Sequence, residues 1–403
     1  MRQIGPLVVR TLTAPAVVPP LCAGSLRERD RLQWWVGDGG DPADLAGEFL
    51  TGHGLAGQLT GNLPAVARPH TAAHDPAVPC GAAMFVSAAA GAILAGGPAG
   101  PPSPAPAVPD LVVVVYEHRA HPDPSTTTGG TPTSWRLGPW RPSWTEQQHA
   151  DAVEAARAAI GRGDVYQVNV VGHSAAPYAG DPRPALARLS RLPGARYGGV
   201  LTGPGWAIGC ASPETLVEVT GGRAVTRPIK GTRPATGTGH RELLASAKER
   251  AEHVMIVDLE RNDLAQVART GSVRVDELYA VRRWCDLWQA ESTVSAELAD
   301  GVDLADLLRA VCPGGSVTGA PKLAALAQIA ALEPVGRGAS MGAFGWVGTD
   351  RIDLGLTIRT VAVDADRVHL WAGGGITWGS EPHAEVAEAA AKAAPVRAAL
   401  ADR

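Results

Sequence analysis

Apolar and polar positions change over in short runs along this chain, broken repeatedly by Gly and Pro. Residues 111–115 form a continuous apolar run of strand length. Residues 98–109 are mostly Pro and Ala. Residues 120–134 are polar, with Thr126–Thr128 and the pair Gly129 and Gly130; both stretches read as surface loops. From about residue 141 the pattern tightens. Thr145, followed three positions later by Gln148, opens an Ala-rich helical run to Ile160 with a capping-box start. Residues 165–171 read as a strand. Helical segments follow at about 240–260, at 303–311, from near Pro321 and from near 382. Strands are predicted at 341–349, 354–363 and 367–372. This uneven alternation with hairpin-like pairs predicts a mixed, largely antiparallel α+β architecture and not a βαβ repeat.

Composition narrows the classes. The 403 residues carry 36 Lys+Arg against 40 Asp+Glu, a net charge of −4. A nucleic-acid partner held by bulk charge is therefore not expected. The five cysteines (Cys22, Cys80, Cys210, Cys285, Cys312) are scattered, with no C-x-x-C pair. That excludes the patterns of a disulfide framework and a structural zinc site, and a reducing cytoplasm is the expected compartment. The N-terminus lacks an apolar signal core. The run at 80–97 is mostly Ala and Gly, and is expected as a buried helix or strand pair, with no membrane span. Two units are expected: an N-terminal one at 1–140 and a second at 141–403. The pair Trp34 and Trp35 reads as core or interface.

Several constellations could carry chemistry. Glu249 and Glu252 stand three apart on a helical segment, as do Glu385 and Glu388, with Lys392 on the same face as the second pair. Four carboxylates from two helices would suit a hard divalent cation, although either pair alone is equally an ordinary solvated face. Residues 313–322 form a Gly-rich loop feeding a helix, where backbone N–H groups could hold an anion. Pro321 and the spacing rule out a Walker loop. The triple glycine 373–375 allows close backbone approach. Period 2 places Gly355, Thr357 and Arg359 on one strand face, and Arg359 could grip a carboxylate. Lys230 ends an apolar strand beside a glycine, where desolvation can make an amine nucleophilic.

Taken in order, these segments resemble the chorismate-utilising enzymes: anthranilate synthase component I, aminodeoxychorismate synthase component I, isochorismate synthase and salicylate synthase. The carrying residues are GDVYQVN at 163–169, SPE at 212–214, PIKGTRP at 228–234, KERAEHVMIVDLERNDL at 248–264, PGGSVTGAPK at 313–322, IRT at 358–360, and AGGGI with the glutamates downstream of it, within 372–388. The resemblance covers roughly residues 141–395. It implies an anthranilate synthase component I-like fold, a two-sheet β-sandwich core flanked by helices, with residues 1–140 completing the sandwich. It implies that Lys230 is a nucleophile toward chorismate C2 and that Glu214 is the acid–base carboxylate. Glu249, Glu252, Glu385 and Glu388 match Mg²⁺ positions. Thr318, Gly319, Arg359, Gly373, Gly375, Lys392, Gly231 and Thr232 match substrate-binding positions. Ammonia would come from a separate class I glutamine amidotransferase subunit.

Lysine in PIKGT is typical of aminodeoxychorismate synthase, so amination of chorismate to 4-amino-4-deoxychorismate, toward 4-aminobenzoate and folate, is the expected activity. Gln167 stands where water-adding relatives carry a lysine. Three departures qualify the resemblance. Gln289 replaces a common histidine, and a glutamine cannot titrate near neutrality; retention of pyruvate in the product is therefore expected. Ala235 replaces a basic residue, and Met341 stands where relatives have an aromatic residue or cysteine. The alternatives are anthranilate synthase component I and a non-catalytic chorismate-binding subunit.

Overall fold

The computed structural model describes residues 26–55, 59, 79–118 and 134–401. Thr126–Thr128, Gly129, Gly130 and Cys22 lie outside them. Two antiparallel sheets dominate. The larger, ten-stranded one runs Leu26–Trp34, Leu111–His118, Pro79–Val86, Ala343–Val347, Arg351–Leu356, Thr215–Thr220, Arg223–Arg227, Leu287–Glu297 and Ile229–Pro234, with Arg274–Trp284 also paired to Leu287–Glu297. The smaller runs Gly319–Ala320, Gln167–Ala179, Arg367–Ile376, Thr360–Asp364, Trp206–Ser212 and Tyr197–Gly203. The main core draws Phe85, Val113, Phe344 and Leu354 from the first sheet and Ile208, Ala362 and Trp371 from the second. This is the expected α+β sandwich.

The first part of the chain is built into this sandwich. Pro79–Val86 pairs with Ala343–Val347 in register from Ala82↔Val347 to Val86↔Ala343. The small-residue run at 80–97 becomes that strand and the short helix Ala88–Leu94, whose Ser87 cap accepts from Ala90 N–H. Among the described residues no helix is long and apolar enough to cross a membrane. Residues 98–109 are a loop, but not wholly a surface one: Ala105 and Val108 are buried in the core.

Local signals explain most helices. Thr145 and Gln148 form the expected reciprocal capping box of Glu146–Arg162, and Gly163 ends that helix at φ 82°. Asp303 and Asp306 cap Leu304–Val311 in the same way. The segment at 240–260 is two helices, Gly237–Ala245 and Ala247–Ala265. Ser246 ends the first with extended backbone and caps the second, its hydroxyl accepting from Glu249 N–H. The expected strand at 354–363 also divides. Arg351–Leu356 belongs to the larger sheet and Thr360–Asp364 to the smaller, so residues 357–359 carry the chain between sheets.

Candidate active site

The strand Ile229–Pro234, the loop 313–318, the strand Arg367–Ile376, the first turns of Ala247–Ala265 and one side of Pro382–Leu400 border one cavity. It holds about 880 Å³, partly open to solvent. Lys230, Glu214, Gly231, Thr232, Glu249, Glu252, Arg359, Gly373, Gly375, Glu385, Glu388 and Lys392 all line it. Residues up to 178 positions apart thus line one cavity.

Lys230 is buried, and its Nζ donates to the Ser316 carbonyl at 2.9 Å. Glu214 is also buried; its Oε1 accepts from Ile229 N–H at 3.1 Å. Burial raises the Glu214 pKa, while the Ser316 hydroxyl, Ile229 N–H, Lys230 and Arg359 pull it back. A carboxyl held toward its acid form beside an amine is a proton donor in waiting.

Arg359 sits in the left-handed region at φ 53°, not on a strand. It therefore does not share a strand face with Gly355 and Thr357, because the chain changes sheets there. Its guanidinium lies over the Trp284 indole, 3.9 Å from the ring centroid. Burial lowers its pKa to about 10, and its buried Nη1 has no hydrogen-bond partner. A desolvated cation with an unused donor, lining a cavity, is suited to receive an anion.

The glutamates occupy one wall region. Glu249 accepts from Arg233 Nη1 at 3.1 Å, Glu252 from Gln167 Nε2 at 3.3 Å and Glu388 from Lys392 Nζ at 2.7 Å. Lys248 Nζ stands 4.0 Å from Glu385 Oε1. Burial, with Glu249 and Glu385 nearby, pushes Glu252 up to about 7 against the pull of Lys230. Lys392 holds Glu388 below the usual carboxylate range. Among the described residues no three such donors converge on one point as a formed metal centre. The donor set is nevertheless all carboxylate oxygen, as a hard cation prefers. The glycines behind it leave room: a Cβ on Gly374 would come within 3.2 Å of Glu385 Oε2, and one on Gly375 within 2.9 Å of Glu252 Oε1.

Thr318 and Gly319 do not line the cavity as expected. The Thr318 hydroxyl donates to Gly314 O at 2.9 Å within its own loop. Gly319 pairs with Val168, in a conformation (φ 143°) where a Cβ would collide with the Gln167 carbonyl. Ser316 and Val317 face the cavity instead. Asn169 and Lys248 also line it without having been singled out; Lys248 opens the KERAEH segment, which was the available signal. Composition held another. The chain has four lysines among its 36 cationic residues, and three of them (Lys230, Lys248, Lys392) line this cavity. The fourth, Lys322, pairs with buried Asp263 at 2.8 Å. Gln289 and Met341 both border the cavity.

The chorismate binding enzyme family matches residues 105–398. The chain belongs to this family. Among chorismate binding enzymes, aminodeoxychorismate synthase component 1 of Bacillus subtilis is 38% identical over 270 residues, covering 65% of this chain and 57% of that protein. Anthranilate synthase component 1 of Streptomyces coelicolor is 39% identical over 283 residues, covering 67% of this chain and 55% of that protein. The match thus spans a little over half the length of these relatives. Among solved structures, anthranilate synthase component I from Streptococcus pneumoniae superimposes with a TM-score of 0.75 at 24% identity, covering 96% of this chain and 95% of that one. That likeness fixes the fold. The two kinds of relative stand at nearly equal identity, so identity does not choose between them.

Proposed function

We propose that this chorismate binding enzyme is an aminodeoxychorismate synthase component I, which replaces the C4 hydroxyl of chorismate with an amino group. The observation that carries the reading is the buried amine of Lys230 in the same cavity as the buried carboxyl of Glu214, whose pKa burial raises. The Lys230 amine attacks C2, both ring double bonds shift by one position toward C4, and the C4 hydroxyl leaves as water with the proton from Glu214. Ammonia then adds at C4 and Lys230 is expelled. The sum is chorismate plus ammonia giving 4-amino-4-deoxychorismate plus water.

Charge supports a metal requirement. Five carboxylates and four cations line the cavity, so a dicarboxylate substrate adds to an existing negative excess. Glu249, Glu252, Glu385 and Glu388 would hold Mg²⁺, which would supply charge compensation and anchorage. Arg359 and Lys392 are assigned to the substrate carboxylates. Gln289 offers no titratable group beside the ring, which favours retention of the pyruvyl ether. A separate glutamine amidotransferase is the proposed ammonia source, and the product would serve 4-aminobenzoate and folate synthesis.

The test is product analysis by mass spectrometry with chorismate, Mg²⁺ and an ammonium salt, with and without a lyase that forms 4-aminobenzoate. The expected product is 4-amino-4-deoxychorismate, converted to 4-aminobenzoate only when the lyase is added. Release of anthranilate or pyruvate without lyase would replace this reading by anthranilate synthase.

A further inference from the structure

Behind the loop 313–318, away from the cavity, lies a buried ion pair that the reaction scheme does not use. Arg337 Nε and Nη2 grip both oxygens of Glu333 at 2.8 and 2.6 Å. The outward donors then reach two backbone carbonyls: Nη1 to Val317 O at 2.6 Å, and Nη2 to Asn169 O at 2.8 Å. Glu333 Oε1 also accepts from Val171 N–H at 3.0 Å. Both side chains are buried. The pair therefore joins the loop 313–318 to the strand Gln167–Ala179. The two are also joined directly, by Asn169 N–H to Thr318 O at 2.7 Å.

What this fixes is the peptide next to Lys230. Val317 follows Ser316, whose carbonyl accepts from Lys230 Nζ. A buried ammonium or amine is set by the few acceptors it has, and a short loop rich in glycine will not hold a carbonyl by itself. We infer that the Glu333–Arg337 pair is a positioning device for Lys230: it pins Val317 and Asn169 from behind so that the Ser316 carbonyl faces the amine. Arginine is required because four of its N–H bonds are used in one plane, to a carboxylate and to two carbonyls; lysine cannot span them.

The inference rests on Lys230 being the reacting amine, but its test does not require that reaction. With only four lysines in the chain, trace acetylation by acetic anhydride followed by peptide mass spectrometry reads each amine separately. Two variants are compared with the parent at one pH: Arg337→Lys, and the apolar pair Glu333→Met with Arg337→Met. Exchanging both partners of a buried ion pair for apolar residues usually preserves folding, whereas removing one leaves a buried charge. Lys230 is expected to acetylate at least threefold faster in both variants, because it has lost its acceptor, while Lys248 at the rim is unchanged. Turnover is expected to fall at least tenfold, with KM for chorismate within threefold. Unchanged Lys230 labelling in a folded variant would overturn the proposal. So would failure of both variants to fold, which would assign the pair to stability alone. A labelling change without any effect on chorismate turnover would instead count against the role of Lys230, leaving the positioning intact.

Discussion

Arg359 brings a positive charge into the protein interior on a face of Trp284. Cation–π stacking in a desolvated place contributes about 2 kcal/mol. It also fixes the plane of the guanidinium while Nη1 stays free. Trp284→Leu should therefore raise KM for chorismate on the order of tenfold with a smaller change in kcat, and Trp284→Phe should recover most of the loss; steady-state kinetics decides it. An unchanged KM in the Leu variant would remove Trp284 from any part in substrate binding. The sequence marked Arg359 as a candidate for gripping a carboxylate but placed it on a strand. Alternation through 354–360 carries no mark of a change of sheet, since both flanks are apolar strands. Its partner Trp284 was invisible because 75 positions separate the two. Lys230 stood out in the sequence as an amine beside a glycine at a strand end, whereas Glu214 was legible only through the resemblance, because a lone Pro-Glu pair has no chemistry of its own.

At the level of elements, the strand Arg367–Ile376 works by what its glycines omit. A Cβ on Gly375 would collide with Gln167 Nε2 and approach Glu252 Oε1, whereas one on Gly374 would meet Glu385 Oε2 at 3.2 Å and Lys392 Nζ at 3.5 Å. Gly375→Ala should thus reduce turnover by tenfold or more and Gly374→Ala by less, with melting temperatures shifted little; displacing a site group by a fraction of an ångström is enough for such losses. The opposite order would contradict the placement of Gln167 and Glu252. The helix Ala247–Ala265 carries a second burden. Burial, with Asp263 beside it, pushes the Glu260 carboxyl up to about 8, opposed by Lys322 and the Thr226 hydroxyl. The folded protein then binds that proton more tightly than the unfolded chain. Its contribution is complete below the ordinary carboxylate range and is lost as pH rises through about 8. Denaturation at pH 6 and pH 9 should show the parent losing more stability than Glu260→Gln; equal losses would mean that Glu260 is ionised throughout. The two helices broken at Ser246 show a limit of periodicity, which registers apolar spacing but not a serine that can close one helix and cap the next. Thr318 and Gly319 show another: a Gly-rich motif says that a loop approaches a ligand, not which residues turn inward.

For the whole molecule, the resemblance at 141–395 and the mixed alternation were sufficient to anticipate a two-sheet sandwich. What they could not show is how the first part of the chain enters it. Its strands Leu26–Trp34, Leu111–His118 and Pro79–Val86 continue the larger sheet through Ala343–Val347, and sheet partners so far apart leave no local sign. A chain beginning at residue 134 would leave Ala343–Val347 as an unpaired apolar edge. It should be insoluble or lack cooperative unfolding, whereas a soluble, cooperatively melting fragment would show that the second part folds by itself. The sandwich exists, on this account, to bring one amine and one acid together in a cavity with an excess of carboxylates. The most direct measurement is the intact and peptide mass of the protein incubated with chorismate and Mg²⁺ without ammonia. An adduct equal to chorismate less one water, confined to the peptide bearing Lys230, lost on adding ammonia and absent from Lys230→Ala, is the expected result; full amination activity in Lys230→Ala with no adduct on the parent would contradict the account.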